Sequence, residues 1–112
     1  MKKHIIKIAP YAQKQIQEIA TYISNELLIP ETADAWVHLL IERISSLDIF
    51  PNRFPIVKKE PFKSLGLRKM NVKNYYIYYY INEEDKIVWI TAVVYGKRDQ
   101  ETELKRIPIN EA

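Results

Sequence analysis

Apolar and polar positions alternate in His4-Ile5-Ile6-Lys7-Ile8, which predicts a short strand. The period then changes. Ala12, Ile16, Ile19, Ala20, Ile23 and Leu27 recur at helical spacing, so residues 10–28 are expected to form an amphipathic helix with Pro10 in its first turn. Ile29-Pro30 breaks that helix. Glu31 and Thr32 open a second one, whose stripe of Ala33, Trp36, Val37, Leu40, Ile41, Ile44 and Leu47 ends near Phe50-Pro51. Two helices joined this tightly form a hairpin, and both stripes are expected against a sheet.

The second half of the chain reads as strands. Prolines and scattered charges between Pro51 and Pro61 predict a loop, and Lys63 to Val72 predicts a strand. Lys73-Asn74 is a tight turn, from which Tyr75 to Ile81 returns as the second strand of a β-hairpin. Asn82 to Asp85 is a polar turn. Lys86 to Tyr95 (KIVWITAVVY) is apolar on both faces and predicts a central, doubly covered strand. Asp99 to Ile107 predicts a short helix that Pro108 stops. This order predicts an α+β fold. An N-terminal strand and a helical hairpin pack on one face of a mainly antiparallel four-stranded sheet, and a short C-terminal helix follows.

Composition narrows the setting. The 112 residues contain no cysteine, which excludes disulfides and thiolate metal sites and suits a reducing cytoplasm. A chain of this length predicts one domain over residues 1–112. The opening MKKHIIKIAPYA is too short for a signal-peptide core, and no later run is long enough to span a bilayer, so no membrane partner is expected. His4 and His38 have no metal-site spacing around them, and the carboxylates are scattered over helices and turns. No metal or cofactor is expected.

Charge is more telling in its placement than in its total of +3. Arg53, Lys58, Lys59, Lys63, Arg68, Lys69 and Lys73 stand against Glu60 alone, while residues 11–50 are predominantly acidic. Such a field is either a solvated loop and strand or a face that meets phosphate. Next to it lies KNYYIYYYI, residues 73–81, with five of the eight tyrosines. By strand parity Tyr75, Ile77, Tyr79 and Ile81 share one face and belong beneath the helical hairpin. Tyr76, Tyr78 and Tyr80 share the other face, expected toward solvent. That row either stabilises the sheet by cross-strand pairing or, flanked by Lys69 and Lys97-Arg98, stacks bases and holds phosphates.

Taken together, Pro10 with Ala12, the Ile23 to Pro30 junction, Ala33, Phe50-Pro51 and LRKMNVKNYYIYYYI…VWITAVVYGKRD resemble the RelE/ParE superfamily. These are toxins of bacterial type II toxin–antitoxin pairs. The similarity runs from about Ile6 to Asp99 and rests on the order of many weak signals. It implies a RelE-like fold, a role in growth arrest or plasmid stabilisation, and a cognate antitoxin as partner. It also implies two alternative targets: mRNA bound on the ribosome, cut by RelE-like mRNA interferases, or DNA gyrase, which ParE-like members inhibit without nuclease chemistry. The ribosomal target is the first expectation and gyrase the alternative.

Metal-free RNA cleavage needs a proton acceptor, cations around the phosphorane and an acid for the departing oxygen. The resemblance implies Arg98, which follows Gly96-Lys97, and the strand lysine Lys69 as catalytic cations. Tyr76 falls where such nucleases carry an arginine and stands in as the third catalytic residue. Leu104 falls near their terminal tyrosine. Lys73, Lys97 and Tyr78 are expected to bind substrate. Arg68 is either a substrate ligand or, by its parity with Met70 and Val72, an inward structural residue.

Overall fold

The computed structural model describes residues 3–27 and 30–108. Strand β1, Ile5–Ile8, leads into helix α1, Pro10–Leu27, and helix α2, Pro30–Ser45. Pro10 occupies the first helical position, where its missing N–H costs nothing. Of the break expected at Ile29-Pro30, Ile29 lies outside the described residues and Pro30 begins α2. After α2 come two short 3-10 turns, Ser46–Asp48 and Pro51–Arg53, and the helical turn α3, Phe62–Leu65. Strands β2 (Arg68–Val72), β3 (Tyr75–Asn82) and β4 (Ile87–Tyr95) then form a meander, and helix α4 spans Gln100–Lys105.

The sheet order is β1-β4-β3-β2, with β1 parallel to β4 and the other pairs antiparallel. The α+β architecture and the central position of β4 are as the sequence predicts. The expected strand from Lys63 is shorter at its start. Gly66 sits at φ 76 and donates its N–H to Lys63 O, which closes α3 in a left-handed cap and delays β2 to Arg68.

One face of the sheet packs under α1 and α2. Ala12, Leu40, Ile44 and Leu47 meet Met70, Val72, Ile77, Tyr79, Val88, Ile90 and Val93 there. Ile41, expected in the stripe of α2, is 42% exposed, and Leu39 takes part in the core instead. The other face is also covered, as the two apolar faces of β4 predict, and this cover extends over Tyr78, a residue expected toward solvent. Phe62, Leu67 and Leu104 pack on Tyr78, Ala92 and Val94, flanked by Tyr76, Tyr80 and Ile107. A β-bulge joins the two cores: Tyr78 pairs with Ala92 but Tyr79 with Ile90, which leaves Thr91 as the extra residue. Its hydroxyl donates to Tyr78 O at 3.1 Å. The bulge switches the parity of β4, so Val88, Ile90 and Val93 face the helical hairpin while Ala92 and Val94 face α4.

Candidate functional site

The five clustered tyrosines divide between the faces by strand parity. Tyr79 lies wholly buried under the helical hairpin, and its hydroxyl donates to Pro51 O at 2.5 Å. Burial pushes its pKa up to about 12, an effect that Arg68 and Arg53 partly offset. Tyr78, on the opposite face, is only 1% exposed. Its hydroxyl donates to Gln100 Oε1 at 2.7 Å, and burial, with Tyr76 nearby, raises its pKa to about 12. A phenol held in this way offers no face to a base, so the expected substrate-binding role of Tyr78 gives way to a packing role. Tyr76 and Tyr80 flank it half-buried.

The predicted cations go to different places. Lys69 lies on the face of Tyr76, with Nζ 4.4 Å from the ring centroid, an attraction worth about 0.5–1 kcal/mol. Arg68, one residue earlier, points to the other side of β2. Its Nη1 donates to Phe54 O at 2.6 Å and Asn52 O at 3.0 Å, so it ties the loop after Pro51 to the sheet. Of the two readings open for Arg68, these bonds are those of a structural residue. Lys73 is exposed in the β2–β3 turn at φ 56. Lys97 and Arg98 are exposed in the turn after β4.

These two turns are held against each other. Gly96 N donates to Asn74 O at 2.7 Å. A Cβ on Gly96 would stand 3.1 Å from that oxygen and 3.5 Å from Tyr76 Cε2, so only a residue without a side chain lets the turns close without displacement. The result is one end of the sheet where the turn of Lys73 adjoins the turn of Lys97 and Arg98, while Lys69 lies within β2 opposite Tyr78.

On the hairpin side of this end lies a groove of about 720 Å³. Tyr22, Trp36, Tyr75 and Tyr95 supply aromatic walls, and Lys73, Arg98 and Glu18 supply charge. The rings of Trp36 and Tyr75 are 5.1 Å apart and those of Tyr75 and Tyr95 5.6 Å, both tilted. Lys69 lines no part of this groove. Of Arg98 and Lys69, expected at one scissile phosphate, this groove holds Arg98 alone. Sequence reasoning missed Tyr22 and Gln100. Tyr22 is off the apolar stripe of α1, and its 64% exposure is the one cue to a surface role. Gln100 binds Tyr78 through its oxygen and the carbonyls of Tyr95 and Arg98 through its nitrogen, an arrangement set by the return of α4 and invisible in sequence.

The family model for the ParE toxin of the type II toxin–antitoxin system, parDE, matches residues 6–100. Among solved structures, the chain is similar to the chromosomal ParDE toxin–antitoxin system from P. aeruginosa, with a TM-score of 0.66 and 18% identity over 83% of this chain and 96% of that one. It is also similar to the toxin–antitoxin complex RelBE2 from Mycobacterium tuberculosis, with a TM-score of 0.55, 16% identity and coverage of 83% and 98%. A mutant of the E. coli toxin RelE in the free state gives 0.52 and 15%, with coverage of 95% and 99%. At these identities the structural likeness bears on fold. No curated protein sequence matches.

Proposed function

Since this chain belongs to the ParE toxin family of type II toxin–antitoxin systems, we propose that it arrests bacterial growth by binding DNA gyrase rather than by cutting RNA. The observation that carries this reading is the closed sheet face. Tyr78 is 1% exposed beneath Leu104, and Gln100 holds its hydroxyl. RNA cleavage would need that face open, with cations and a proton donor converging on one phosphate. Here Leu104 fills the space with an apolar side chain, and Arg98 lines a groove that Lys69 does not line. A toxin that works by docking needs no such convergence. Its free form is neutralised by a cognate antitoxin, a partner suggested by the toxin–antitoxin systems it resembles.

The reading first expected from sequence, a ribosome-dependent mRNA endonuclease, keeps one supporting observation: Lys69 sits 4.4 Å over the ring of Tyr76, at positions the resemblance makes catalytic. Induced expression separates the two. The gyrase reading expects supercoiling defects and DNA breaks with transcripts intact, and purified chain that inhibits gyrase supercoiling of a plasmid. Transcripts cut within codons on translating ribosomes, with normal plasmid topology, would replace it by the nuclease reading.

A further inference from the structure

The loop after α2 holds one residue in a conformation that its side chain disfavours. Phe50 sits at φ 51 and ψ 54, in the left-handed region, where a bulky side chain is an outlier and where the following Pro51 favours extended backbone instead. Lys73 and Lys86 also have positive φ, but they lie in the two hairpin turns, which call for it. The Phe50 ring adds little to the fold, being 59% exposed and part of neither apolar core. A glycine would take the same backbone without strain. Side chains from elsewhere hold the strained loop in place. Arg53 Nη1 donates to Ile49 O at 2.8 Å and to Phe50 O at 3.1 Å, and its Nη2 donates to Ser46 Oγ at 2.9 Å. The Tyr79 hydroxyl donates to Pro51 O, and Arg68 donates to Asn52 O and Phe54 O. Every carbonyl from Ile49 to Asn52 is thus tied by a side chain, the over-determination that strained backbone needs in order to persist.

We infer that Phe50 is the anchor by which this chain docks on gyrase: its ring, carried clear of the fold on a pinned loop, enters an apolar pocket already formed on that enzyme. The inference rests on the gyrase reading for the identity of the partner. A preorganised aromatic loses little freedom on binding, so it suits a cavity that exists on a folded protein before contact, rather than a segment that shapes itself round the toxin. Stacking on a nucleic-acid base would need free cations beside the ring for the phosphates. Arg53, the only basic residue in residues 46–54, and Arg68 instead direct their guanidinium donors to the loop's own carbonyls. The site therefore offers an apolar ring without accompanying charge, which selects a protein pocket.

Binding to immobilised, purified gyrase, read beside inhibition of plasmid supercoiling, tests this. Phe50→Gly is expected to keep the parent's circular dichroism spectrum and to bind at least about thirtyfold more weakly, the loss that removal of one hot-spot aromatic brings. Inhibition of supercoiling is expected to need correspondingly more protein. Leu65→Ala removes a side chain of α3 that is 53% exposed, and it is expected to bind as the parent does. If Phe50→Gly fails to fold, Phe50→Asn asks the same question with a residue that tolerates left-handed backbone. Equal binding and inhibition by the parent and a folded Phe50 variant overturn the inference and leave the gyrase reading standing. An equal loss in Leu65→Ala also overturns it, since exposed apolar surface in general would then account for binding. Growth arrest by Phe50→Gly that a co-expressed antitoxin no longer relieves, with gyrase inhibition intact, overturns it too and assigns the ring to the antitoxin. A parent chain that neither binds gyrase nor inhibits supercoiling removes the gyrase reading, and the inference falls with it.

Discussion

The hydroxyl of Tyr78 donates to Gln100 Oε1 at 2.7 Å across the interface between the sheet and α4. This single bond joins the phenol row that draws attention in the sequence to the helix that closes over it. The same glutamine donates through Nε2 to the carbonyls of Tyr95 and Arg98, so it also fixes the turn that carries Lys97 and Arg98. Packing of the phenol and placement of the cations are thus parts of one network.

Gln100→Ala is expected to leave the buried Tyr78 hydroxyl without a partner and to destabilise the fold by about 1–3 kcal/mol. Tyr78→Phe removes the donor itself and is expected to cost less, about 0.5–1.5 kcal/mol. Urea denaturation of the two variants checks this order. The reverse order would mean that the Tyr78 hydroxyl finds another partner, such as water, once Gln100 is removed.

Arg68→Ala separates the structural role of Arg68 from a role at substrate. Loss of the bonds to Asn52 O and Phe54 O is expected to lower stability by about 1.5–3 kcal/mol, since the donor is charged. Growth arrest at a temperature where the variant stays folded is expected to persist. Loss of arrest by a fully folded Arg68→Ala would instead place this arginine at the target.

Gly96→Ala puts a methyl group 3.1 Å from Asn74 O, a backbone atom in the facing turn. The two turns must part slightly, at an expected cost of about 1–3 kcal/mol. Thermal melting reads the loss, and amide exchange at Gly96 and its neighbours is expected to quicken. An unchanged melting temperature would show that the turns have slack that the close approach does not suggest.

Alkaline titration has a definite sign. Tyr78 and Tyr79 have folded-state pKa values of about 12, above the ordinary tyrosine value of 10.0. Because burial favours their neutral form, the associated stability is fully present below pH 10 and is lost as pH rises toward 12. The denaturation midpoint is therefore expected to hold up to about pH 10 and then to fall. Replacing both with Phe should flatten that fall. A parent protein whose tyrosinate absorbance rises fully around pH 10 with no loss of structure would contradict the buried placement.

Leu104→Ala tests the closure of the second face. Leu104 is 4% exposed over Tyr78, Ala92 and Val94, so its truncation is expected to cost about 2–5 kcal/mol. Increased binding of a hydrophobic dye to the folded variant would report the uncovered face. A variant as stable as the parent would mean that α4 is not needed to seal it.

Much of this molecule was legible in the chain. Period 3.6 in residues 12–23 and period 2 in the tyrosine run follow from geometry that every helix and strand shares, so α1, β3 and the division of the phenols between faces could be read directly. The turn at Lys73-Asn74 was legible for the same reason. The strand expected from Lys63 failed at Gly66, where a left-handed cap ended a helical turn that alternation alone does not reveal. Ile41 misled because the stripe of a helix is wider than the surface its neighbours actually cover.

By itself, the sequence determined which side chains share a face, since that depends only on backbone repeat and needs no partner. It also determined the uneven charge and the absence of thiol chemistry. What only the tertiary structure decided is which face stays in touch with water. That depends on where Leu104 and Gln100 return after a turn, on the bulge at Thr91 that switches the parity of β4, and on a glycine small enough to let two basic turns meet. Each joins segments distant in the chain, and local periodicity carries no information about such meetings.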